Sequence, residues 1–158
     1  MHIIVAKAVA FGEALRPTFA DYQRQVVKNS KVLADDLMSL GFDLVSGGTD
    51  NHLIQMDLSQ KGITGQDAER ALNKAGIVMN KNTVPLDNRG PKVTSGLRLG
   101  TPALTTRGMK EAEMRTIAGL IKKVLNNPDS EGNLSDVRET VGDLCDSFPI
   151  FRYLDKES

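Results

Sequence analysis

The run Val93-Thr94-Ser95-Gly96-Leu97-Arg98-Leu99-Gly100-Thr101-Pro102-Ala103 constrains this chain most, because it sets a charge inside a short strand-like stretch closed by glycine and proline. A guanidinium is almost never fully buried without an anionic partner. No acid close by in the sequence offers itself as that partner. Arginine's planar fork matches a carboxylate or a phosphate in two-point contact. Arg98 is therefore a candidate clamp for a small anionic ligand. The competing reading is a strand-end arginine that is exposed, or paired with a distant Asp or Glu.

Composition removes several alternatives. A chain of 158 residues predicts one domain with a modest core. Twenty basic and twenty acidic residues give zero net charge, so no field gathers nucleic acid or an anionic membrane. Aromatic content of 4% without Trp weakens any case for base stacking. The lone Cys145 excludes an intrachain disulfide and fits a reducing compartment. No run of 18 apolar residues is present, and residues 1–8 lack a signal-peptide layout. A cytoplasmic location is expected.

Periodicity predicts a broad-faced apolar helix over residues 2–15, interrupted at Arg16-Pro17. A second helix is predicted over 21–40, with a stripe of Val26, Ser30, Leu33, Leu37 and Leu40, and Gly41 just past its end. Residues 42–46 and 52–58 read as strands around a Gly47-Gly48-Thr49-Asp50 turn, with Leu53 and Gln55 facing away from Ile54, Met56 and Leu58. Thr64 and Asp67 resemble a capping box before a helix that ends at Gly76. Residues 77–79 read as a third strand and 80–92 as a polar loop. After the Arg98 strand, Thr105 or Thr106 is expected to cap a helix over 110–125. A linker over 126–133 and a last helix over 135–147 follow. This order predicts an α+β fold, a small mostly antiparallel sheet with helices on one face.

Few chemistries fit these residues. Two histidines 50 positions apart and one cysteine do not supply a transition-metal site. No Gly-x-Ser-x-Gly elbow, Gly-x-Gly-x-x-Gly or Walker loop is present. His52 reads as a strand-entry residue making local hydrogen bonds, and Cys145 as core packing on a helical stripe. Arg98 remains, with the loop Asn80-Lys81-Asn82-Thr83-Val84-Pro85, whose amides could bond a polar heterocycle or simply form turns.

Three stretches taken together resemble the C-terminal part of serine hydroxymethyltransferase, of bacterial type. They are the run from His2 to Phe11, the run Val45-Ser46-Gly47-Gly48-Thr49-Asp50-Asn51-His52-Leu53, and the segment 80–103. The resemblance covers roughly residues 1–125. It implies the small C-terminal domain of a fold-type I pyridoxal-phosphate enzyme, with residues 1–20 as the end of the large domain or connecting helix. Residues 21–125 would be the small domain, and 126–158 a linker and C-terminal helix.

The resemblance also implies site roles. Arg98 matches the arginine that grips the carboxylate of serine or glycine. Asn82 matches a folate-contacting asparagine, and Gly90, Pro91 and Lys92 align with a folate-contacting stretch. Lys92 departs from the Ser-Pro-Phe pattern expected there. The cofactors implied are pyridoxal 5'-phosphate and, as co-substrate, tetrahydrofolate, within one-carbon and amino-acid metabolism. The family's cofactor lysine lies in a Thr-Thr-His-Lys motif that this chain lacks. The chain is thus expected to be a fragment, inactive alone, of an enzyme that is a homodimer at full length. The alternatives are a free-standing amino-acid-binding or regulatory module, and the C-terminal domain of another such enzyme, for instance an aminotransferase.

Overall fold

Leu97 and Leu99 bracket Arg98, as Ile54 and Met56 bracket Gln55. Successive side chains of a strand point to opposite faces, so both runs can bury one face and leave the other polar. The computed structural model describes residues 1–150 and has this arrangement. Strands β1 (Asp43–Leu44), β2 (Leu53–Asp57), β3 (Asn80–Asn82) and β4 (Gly96–Gly100) form an antiparallel sheet of order β1-β2-β4-β3. The part of the expected 126–158 tail that falls on 151–158 lies outside the described residues.

Six α-helices complete the described residues. They are α1 (His2–Ala14), α2 (Pro17–Ser39), α3 (Gly65–Lys74), α4 (Pro102–Thr106), α5 (Glu111–Asn126) and α6 (Glu131–Ser147). The fold is α+β, as expected. One core joins the buried sheet face to Leu33 and Leu37 of α2, Leu72 of α3, Met114 and Ile121 of α5, and Val137 of α6. Helix α1 stands apart from this core and buries none of its residues. No helix among the described residues is long and apolar enough to cross a membrane.

Several element boundaries differ from the sequence expectation, each for a local reason. Helix α2 begins four residues early because Pro17 occupies its first turn, where a missing N–H costs nothing. It ends as expected: Gly41, at φ +88°, lets the Gly41 and Phe42 amides bond back to Met38 and Leu37. The strand expected over 42–46 is only Asp43–Leu44, because Val45–Gly47 coil into a tight turn with Ser46 at φ 65°.

The strand expected at 77–79 is instead Asn80–Asn82. Residues 77–79 form a link in which Met79 is buried and Val78 is 84% exposed. Neither Thr105 nor Thr106 caps α5. They belong to the separate helix α4, and the Lys110 N–H is satisfied by the Glu113 carboxylate at 2.7 Å. Helix α6 starts four residues earlier than expected, capped by Ser130, whose hydroxyl accepts the Asn133 N–H.

Candidate functional site

The covered sheet face is apolar, so the chemistry lies on the bare one. Register places Gln55 of β2, Arg98 of β4 and Asn80 of β3 directly opposite one another across three strands. Direct partners in an antiparallel ladder share a face. Arg98 is thus exposed mid-sheet with a neutral amide on each side. Asp57 lies one diagonal step away by register, yet among the described residues no carboxylate forms an ion pair with Arg98. Of the readings open at the sequence level, the geometry retains an exposed, unpaired guanidinium. His52, Val78, Asn80 and Gly100 line a shallow concavity around it.

The strand carrying Arg98 is pinned at both ends. Beyond Gly100, the buried Thr101 hydroxyl donates to the Val26 carbonyl of α2 at 2.8 Å. Asn29, also buried on α2, donates to the Thr105 hydroxyl at 2.9 Å and the Met109 carbonyl at 3.0 Å. At the other end, the Thr94 and Val93 carbonyls accept the Gly65 and Gln66 amides at the start of α3. Close approach makes Gly96 obligatory: a Cβ there would stand 2.5 Å from Val84 and 2.7 Å from the Met56 carbonyl. Val84 thereby folds over β4 and carries the following loop onto the bare face.

Asp87 holds that loop. Its carboxylate accepts N–H groups from Val84, Arg89 and Ser95, and the Ser95 hydroxyl. The Ser95 hydroxyl chiefly, aided by the three amides, lowers the Asp87 carboxyl to about pKa 2. Lys81 points to the opposite face of β3 and pairs with Glu69 at 3.0 Å. The Lys81 backbone N–H is the main cause that holds the Glu69 carboxyl below its usual range.

Asn82 lies on the same face as Arg98, opposite Gly96, and its amide donates to the Thr83 carbonyl at 2.9 Å. Gly90, Pro91 and Lys92 sit in an exposed turn outside the concavity around Arg98, closed by Val93 and Thr94 amides on the Gly90 carbonyl. His52 accepts the Thr101 N–H through its carbonyl. Cys145 lines an apolar cavity with Val141 and Leu144, and it is only half-buried there rather than part of the core.

Sequence reasoning named Asn80 within the candidate polar loop but not as a neighbour of Arg98, missed Asp87, and left Gln55 as a strand residue only. The available signal was a polar residue breaking an apolar strand at Gln55, which register sets beside Arg98. Together these groups can bind a small carboxylate on a flat, polar, water-accessible surface next to an ordered amide-rich loop. Compared with known families, residues 1–121 match the family model for serine hydroxymethyltransferase, a span from α1 into α5.

Proposed function

The chain belongs to the serine hydroxymethyltransferase family, and from that premise we propose that it is the C-terminal, substrate-carboxylate-binding part of a bacterial-type enzyme. That enzyme interconverts serine and tetrahydrofolate with glycine and 5,10-methylenetetrahydrofolate. The observation that carries this reading is the unpaired Arg98 guanidinium between the neutral Gln55 and Asn80. Two parallel N–H donors grip the carboxylate of serine or glycine and fix the orientation of the amino acid. Asn82 offers its amide to the folate from the same face, and Gly90, Pro91 and Lys92 form the outer edge of that contact.

Family enzymes use pyridoxal phosphate, and the described residues do not fit it. Its attachment requires a lysine amine. The bare sheet face carries none: Lys81 is turned away and bonded to Glu69, and Lys7 lies on α1. The cofactor belongs to a different segment, and the 158 residues alone are inactive. The all-round apolar α1 supports this, since such a helix is ordinarily buried against another body. The complete enzyme is a cytoplasmic homodimer.

The test joins this chain to a cofactor-bearing segment of the same family. Arg98→Ala should weaken serine binding by on the order of 2–5 kcal/mol, the range for truncating a charge pair that the joined segment buries. Arg98→Lys should recover little, because an ammonium lacks the planar fork. Unchanged serine affinity in Arg98→Ala overturns the assignment. One observation favours a second reading: Arg98 is accessible in this chain by itself, as a free-standing amino-acid-binding module requires. Calorimetry of the lone chain with glycine, serine and a folate separates the two, since binding supports the module and silence the fragment.

A further inference from the structure

Gln55 does more than flank Arg98. Its side-chain amide crosses β4 and donates to the Thr83 carbonyl, in the segment that follows β3. The Asn82 amide donates to that same carbonyl at 2.9 Å. Two amides therefore converge on one acceptor, one from the strand beside Arg98 and one from the candidate folate contact. With one of its two amide N–H groups on Thr83, Asn82 keeps the other N–H and its Oδ1, which accepts no hydrogen bond from the described residues.

We infer that Gln55 is a positioning residue that couples the two ends of the site, fixing Asn82 through the Thr83 carbonyl while leaving the Arg98 guanidinium free. The inference rests on the ligand reading above for what each end binds. Its chemistry explains why a neutral amide stands here. A leucine would fill the space and release Thr83. A glutamate would sit directly opposite Arg98, repel the Thr83 carbonyl and pair with the guanidinium, as opposite charges do across strands. It would then compete with the substrate carboxylate.

Two measurements on Gln55→Leu and Gln55→Glu test this. In the 158-residue chain, hydrogen exchange of the Val84 amide should quicken about tenfold in Gln55→Leu, while the Ile54 and Leu97 amides keep their rates. In the joined enzyme, Gln55→Leu should raise the KM for tetrahydrofolate about tenfold with the serine KM within about twofold, and Gln55→Glu should raise the serine KM about tenfold. An unchanged Val84 exchange rate overturns the inference whatever the ligands do. So does a loosened Val84 with an unchanged folate KM. Failure of the ligand reading is seen separately, as an Arg98→Ala enzyme with an unchanged serine KM.

Discussion

Asp87 closes on Ser95 twice, accepting its N–H at 2.8 Å and its hydroxyl at 2.7 Å. The same carboxylate takes the Val84 and Arg89 amides. One side chain thus joins the start of the loop to the residue just before β4, and the bare sheet face receives an ordered edge. A carboxylate with four donors is held in its charged form.

The carboxyl of Asp87 lies near pKa 2 against an ordinary 3.8, so its protonation opposes the folded loop. With a depressed folded value, the contribution is complete above the ordinary value and lost as pH falls toward about 2. A carbon NMR titration of Asp87 should give a midpoint near 2. Ser95→Ala should move that midpoint upward, because it removes the largest cause of the shift. A wild-type midpoint at the ordinary value contradicts the hydrogen-bonded loop.

Asn29 is fully buried and satisfied, with its amide on Thr105 and Met109 and its carbonyl oxygen accepting from Gln25. Asn29→Ala would strand the Met109 carbonyl in the interior. Leaving one such group unpaired costs about 1–3 kcal/mol, and urea unfolding should show a loss in that range. A loss under about 0.5 kcal/mol, the size of a neutral surface change, would mean that water replaces Asn29 at no penalty.

Gly96→Ala should be more damaging than its single methyl suggests. The new carbon meets Val84 at 2.5 Å and the Met56 carbonyl at 2.7 Å, and the second contact is backbone. Overpacking of this kind costs about 1–3 kcal/mol. Adding Val84→Ala should recover only part of the stability, because Met56 still collides. Full recovery would show that the strands can separate at this point.

Legibility followed burial. The helices that cover the sheet show in the sequence because Leu33, Leu72 and Ile121 recur at helical spacing and all face one core. Strand β3 does not show. One face of Asn80–Asn82 is bare and the other carries Lys81 bonded to Glu69, so no apolar alternation marks it. The neighbouring Ile77-Val78-Met79 looks more strand-like yet serves as a connection. Thr105 misleads for a related reason: its hydroxyl donates to the Thr101 carbonyl within a buried polar cluster, which local sequence cannot reveal. Arg98 was conspicuous as a charge between leucines. Its neighbours Gln55 and Asn80 come from 43 and 18 positions away and meet it only through strand register.

The last prediction concerns α1. Phe11 is 67% exposed and Leu15 87%, and the apolar residues run all round the helix rather than along one stripe. A patch of this kind promotes association. Sedimentation of the 158-residue chain should show mass rising with concentration, and removal of residues 1–15 should restore a monomer. Since α1 buries nothing, the trimmed chain should keep its unfolding free energy within about 0.5 kcal/mol. A large loss of stability on trimming would mean that α1 packs on the core in solution, and a monomeric untrimmed chain at high concentration would mean that it shields its own apolar surface. Either result would remove the argument that this helix awaits a partner body.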